Sequence, residues 1–143
     1  FRLPMIEIVI ILGVFAVISV LIVKMFVSTD QMRSKAENIS RAVLETESIA
    51  EILKGRDVSK ALFEEIGAKE SQNTDSTYLI YYDKFWNTVK EDAENVIIVH
   101  YIETDDEYGG MITYQITAYA VKNNEEFDES EKPLCDLIVK KIK

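Results

Sequence analysis

"FRLPMIEIVIILGVFAVISVLIVKMF", residues 1–26, decides how the rest of the chain is read. From Ile8 to Val23 it holds sixteen positions without a charge, and Ser19 is the only polar one. Allowing Lys24 to snorkel, the apolar stretch continues through Met25, Phe26 and Val27. About twenty helical residues at roughly 1.5 Å each cross a hydrocarbon core of about 30 Å. Two features stand out against this background. Glu7 places a carboxylate at the start of the apolar run, and the chain opens on Phe1 rather than Met. No small-residue cleavage pattern follows the run, so a signal peptide is the weaker reading.

Beyond the apolar run the helical signal continues. "STDQMRSKAENISRAVLETESIAEILKG", residues 28–55, has no Pro and no Gly before Gly55. Met32, Ala36, Ile39, Val43, Thr46, Ala50 and Leu53 recur at alternating steps of four and three, flanked by Ile49 and Ile52. That spacing predicts one helix over about residues 5–54, apolar all round in its first half and amphipathic in its second. Gly55 is a helix stop of the usual kind. "RDVSKALFEEIGA" predicts a short helix over 57–67, capped by Asp57 or Ser59, with Val58, Leu62 and Ile66 inward and Gly67 ending it.

"KESQNTDS" then reads as a polar loop, and four strand-like runs follow: 77–83, 95–103, 111–121 and 134–142. "TDDEYGG" (104–110) reads as a hairpin loop. Links this short permit only antiparallel neighbours. The expected fold is α+β: a long N-terminal helix on a four-stranded antiparallel sheet, with one sheet face open. The amphipathic half-helix covers the other face, laying Ile39, Val43, Ala50 and Leu53 on it. Residues 1–27 form the apolar half-helix. Residues 28–143 form the head: half-helix 28–54, short helix 57–67 and sheet 77–142.

Composition narrows the function. The formal charge of −9 falls on residues 31–143, because Arg2 and Lys24 balance Glu7 and Asp30 before them. A head that acidic repels nucleic acid and anionic lipid. With Cys135 as the sole cysteine, no intrachain disulfide forms. The sole histidine, His100, shares a strand face with Val96, Ile98 and Ile102 and reads as structural. No nucleophile–base set, phosphate loop or zinc motif is present, so no catalytic residue is expected. "TDDE" and "NNEEFDESE" (123–131) lack calcium-loop spacing, and no metal or cofactor is expected. Asn38-Ile39-Ser40 matches a glycosylation sequon but falls inside the helix. Tyr78, Tyr81, Tyr82, Phe85 and Trp86 read as a packed sheet face with Trp86 anchoring its turn.

Glu7 leaves two readings: a carboxylate at the membrane interface, or one awaiting a cation within the apolar layer. The order of features resembles type IV pilins and pilin-like proteins (pseudopilins). The likeness in architecture spans the chain, while the motif lies in residues 1–27: Phe1, Leu3 and "IEIVIILGVFAVI". "YYDKFWN" and "KPLCDLIVKK" add a loose likeness to pilin-like proteins of Gram-positive anaerobes.

The resemblance implies that a prepilin peptidase removes a basic leader and that Phe1 carries an N-methylated amine. It implies a single-pass membrane protein that assembly machinery draws into a cell-surface filament. Phe1, Glu7, Ile8, Ile11, Leu12, Phe15, Ile18 and Ile22 would then carry assembly as a homopolymer. Three departures are visible: the acid stands two places later than in the family, no Pro lies between Pro4 and Pro133, and the family's paired cysteines are absent. The remaining alternatives are a pseudopilin of a secretion or DNA-uptake machine, and a monomeric single-pass protein with an exterior binding domain.

Overall fold

No helix breaker interrupts the chain between Pro4 and the end of the first element, α1 (Leu3–Gly55). Pro4 sits in the first turn, where its missing N–H costs nothing. A computed structural model describes residues 3–72, 74–107, 109–121 and 132–143. Two compact units emerge, Phe1–Asn38 and Ile39–Lys143. The second unit contains the C-terminal part of α1, the short helix α2 (Lys60–Glu65), and strands β1 (Lys69–Glu70), β2 (Thr77–Tyr82), β3 (Asn95–Asp106), β4 (Gly109–Ala120) and β5 (Cys135–Ile142).

The strands form a five-stranded antiparallel sheet in sequence order, one more than the four expected. The extra strand is β1, whose Lys69 and Glu70 pair with Leu79 and Tyr78 inside the predicted polar loop. Both residues are exposed and two residues carry no alternation, so pattern alone could not mark them. The hairpin loop is also tighter than expected. Pairing continues through Asp105↔Gly110 to Asp106↔Gly109, turning most of "TDDEYGG" into strand.

α2 is shorter than the predicted 57–67. Ser59 has extended backbone, φ −145 and ψ 151, and its Oγ accepts from Leu62 N at 3.2 Å, so Ser59 and not Asp57 is the cap. Gly67 has φ +78, and a Cβ there would lie 3.0 Å from Thr88 Cγ2, so only glycine closes this corner comfortably.

Antiparallel register sorts the side chains into two faces. Tyr78, Ile80 and Tyr82 of β2 align with Val99, Ile97 and Asn95 of β3, and onward with Ile116, Ala118 and Ala120 of β4. This face meets Ala42, Ile49, Ala50 and Leu53 of α1 and Leu62 and Phe63 of α2 in one core. Phe63 stacks on Tyr78 with ring centroids 3.8 Å apart and planes 5° from parallel. Thr46 is fully buried on the same helix stripe, and its hydroxyl donates to Ala42 O at 2.6 Å. The helix face is therefore turned from the one predicted: Ala50 and Leu53 are buried, while Ile39 and Val43 are only half-buried. Small Ala42 allows close approach and draws the seam toward Ile49.

The opposite sheet face is not uniformly open. Val96 is fully buried between its cross-strand neighbours Tyr81 and Tyr119, whereas Ile102, Ile138 and Ile142 are exposed. The expected aromatic cluster divides accordingly. Tyr78, Tyr82 and Trp86 enter the core, Tyr81 takes the outer face, and Phe85 stays in solvent with the Lys84 ammonium 4.8 Å from its ring.

Trp86 reaches the core through a left-handed backbone, φ 65, which costs a bulky residue about 1–3 kcal/mol. The neighbouring Asp83 holds that conformation. Its Oδ1 accepts from Phe85 N at 2.8 Å and Asn87 N at 2.9 Å, and its own N–H donates to Asn87 O at 2.9 Å. The Asn87 N–H bond lowers the Asp83 carboxyl below the usual carboxylate value. A lowered folded pKa gives support that is present above the unfolded value and lost as pH falls through the folded one. Acidification below the usual carboxylate range should therefore loosen this turn and red-shift the emission of Trp86, the sole tryptophan. Asp83→Asn should remove that component of the acid response; identical profiles for the two proteins would contradict the assignment.

Candidate functional site

The surface that demands explanation lies in the first unit. Nineteen large apolar side chains between Leu3 and Val27 are exposed, from 47% for Ile22 to 83% for Leu3. Isoleucine and valine dominate, residues that form helix poorly in water. Surrounded by apolar groups the balance reverses, because only intrahelical hydrogen bonds then satisfy the backbone. The few polar side chains obey the same logic. Ser19 Oγ donates to Phe15 O and Thr29 Oγ1 to Met25 O, each at 2.8 Å. Neither hydroxyl demands an outside partner.

By area, covering these nineteen half-exposed side chains would be worth on the order of 20 kcal/mol, so lipid or another apolar surface suits this helix far better than water does. In length and composition the helix is able to cross a membrane.

All six apolar residues predicted for assembly, Ile8, Ile11, Leu12, Phe15, Ile18 and Ile22, lie in this exposed set. The structure does not separate them from Val9, Ile10, Val14 and Val17, which are exposed on the remaining circumference. Those residues belong to the surface as well; the sign of them in the sequence is the absence of any polar stripe before Thr29. Glu7 is exposed one turn beyond the helix start, with no cation paired to it among the described residues. Phe1 lies outside the described residues.

The head's candidates for chemistry are dispersed. His100 is half-buried on the outer sheet face, its Nδ1 2.9 Å from Thr77 Oγ1. It borders an open depression of about 360 Å³ that also involves Ile98, Gln115, Thr117 and Tyr119. Cys135 is half-buried against the core, across from Ala118. In "TDDE", Asp105 accepts from Lys143 Nζ at 3.2 Å, and Glu103 lies 3.2 Å from the same ammonium. The run "NNEEFDESE" lies outside the described residues. Among those that are described, no three His, Cys, Asp or Glu side chains are grouped to hold a metal ion.

No protein-family model, curated protein or solved structure matches this chain. Its functional reading rests on its own residues and their placement.

Proposed function

We propose that this protein is a structural subunit of an extracellular filament of the type IV pilus kind, polymerising through the helix Leu3–Val27. One observation carries the reading: nineteen exposed apolar side chains surround a helix whose hydroxyl, on Ser19, bonds within the helix and whose Glu7 has no cation paired to it among the described residues. Such a rod suits lipid before assembly and sister rods after it. Exchanging one apolar surrounding for another leaves the hydrophobic term nearly neutral. Packing and an ion pair must then supply direction and register. Glu7 is the group able to do so, against an amine of a neighbouring copy. The N-terminal resemblance and the acidic head, suited to a solvated exterior, favour this over an enzyme.

A second reading keeps the helix permanently in the membrane as a single anchor for an exterior binding domain, and the helix's ability to span a bilayer favours it. Service in a secretion or DNA-uptake machine is a variant of the first reading.

Glu7→Ala separates the two main readings. It should leave membrane insertion unchanged, since the removed charge only opposed insertion, by about 2.5–3.5 kcal/mol at most. It should reduce the subunit recovered in surface-sheared material at least tenfold. Normal recovery of the variant in fibres would remove Glu7 from assembly, and an absence of fibres from wild-type cells would favour the anchor.

A further inference from the structure

β5 is an edge of the sheet: among the described residues only β4 pairs with it. Lys143 N donates to Gly110 O at 2.8 Å, which turns the backbone groups of odd-numbered β5 residues toward β4. By the alternation of an antiparallel ladder, Asp136, Ile138, Lys140 and Ile142 turn their N–H and C=O groups to the free side. Their side chains stand on the sheet face away from the core, with Ile138 60% and Ile142 80% exposed. Proteins usually guard such an edge with a bulge, a proline or a charge. Here the strand has no proline, and the guard is Lys140.

Lys140 differs from its neighbours in being uncommitted. Lys141 donates to Arg56 O at 2.7 Å, and Lys143 lies 3.2 Å from both Glu103 and Asp105. Among the described residues Lys140 has no acidic partner. Asp136, by contrast, is held in place. Its Oδ1 accepts from Thr117 Oγ1 at 3.0 Å and Gln115 Nε2 at 3.5 Å, leaving Oδ2 for another donor.

We infer that β5 pairs antiparallel with β5 of a second copy of this chain, about a two-fold axis at Ile138. In that register Ile138 opposes the partner's Ile138. Asp136 opposes the partner's Lys140, and by symmetry Lys140 opposes the partner's Asp136. Both charges are matched and about six backbone hydrogen bonds form across the axis. Moving the axis to Val139 sets Asp136 against an isoleucine and Lys140 against another. Moving it to Lys140 sets two ammonium groups face to face. The sequence D-x-I-x-K is thus self-complementary in one register, and Lys140 disfavours the others. A contact this small is weak for a single pair of molecules. Its two-fold axis stands across the sheet, so it joins copies of opposite direction and is a different contact from any made between parallel helices in one bilayer or fibre.

The test uses the full chain in detergent with Cys135→Ser as background. Across the axis an Ile138→Cys pair has Cα atoms about 5.5 Å apart, within disulfide range. Two Ile142→Cys positions lie about 27 Å apart. Mild oxidation should link the Ile138→Cys protein into dimers at least tenfold faster than the Ile142→Cys protein. Adding Lys140→Asp to Ile138→Cys should abolish that preference, and combining it with Asp136→Lys should restore it. Equal linking at both positions, no linking at Ile138→Cys, or no recovery in the double reversal would each overturn the inference. Association through the apolar helices gives no such positional preference, so this outcome is independent of the filament reading.

Discussion

Phe63→Ala is expected to cost the head about 3–5 kcal/mol, a fifth or more of the roughly 5–15 kcal/mol that a domain possesses. Phe63 is 1% exposed and lies face to face with Tyr78, and it belongs to α2, whose Leu62 is buried in the same core. Removing it leaves a cavity that a six-residue helix, held by the Ser59 cap, cannot collapse to fill. The cost should appear as a fall of about 12–30 °C in the thermal midpoint of the detergent-solubilised chain, followed by near-ultraviolet circular dichroism. The helical signal of the apolar segment should survive, because that segment belongs to a separate unit. A midpoint within about 3 °C of wild type would mean that α2 contributes little to the core.

Phe15→Asp should have the largest effect on assembly. Phe15 sits near the middle of the apolar segment, one turn from Ile11 and Leu12. An unpaired carboxylate there opposes insertion by about 2.5–3.5 kcal/mol. The surrounding apolar side chains contribute a few tenths of a kcal/mol each, so their sum still favours insertion. Between packed helices the same charge recurs in every copy. A loss of about 3 kcal/mol per subunit corresponds to roughly a hundredfold weaker incorporation. The variant should therefore be found in the membrane and be missing from sheared fibres, whereas Phe15→Leu should be found in both. Fibres containing Phe15→Asp at wild-type abundance would show that this segment is not buried among its copies.

The sequence carried α1 and the long strands clearly, because both rest on repeated hydrophobic spacing: the run up to Leu53, and the Ile- and Val-rich strands around Ile97 and Ile116. The cap was legible only as Asp57 or Ser59, and the extended backbone of Ser59 decides between them. The finer placement of the helix was not. Two adjacent stripes, one through Ile39 and Val43 and one through Ala42 and Ile49, both satisfy the helical period. Only the sheet's shape chooses between them. β1 escaped notice because Lys69 and Glu70 are polar and paired solely through the backbone. The Asp83–Asn87 turn was legible as an interruption, but the left-handed Trp86 that drives its ring into the core was not. For the apolar segment, composition revealed the surface and gave no means of choosing a face. The exposure around the whole helix explains why: every side of it asks for a cover.

What covers that helix is the question on which the functional account turns. Electron cryomicroscopy of fibres sheared from cells producing the protein is the most direct measurement. The account predicts a continuous core in which the segments Leu3–Val27 of successive copies touch side by side, with Glu7 beside a neighbour's amine. Cells whose membranes hold each segment alone in lipid, with no fibre on the surface, would contradict it.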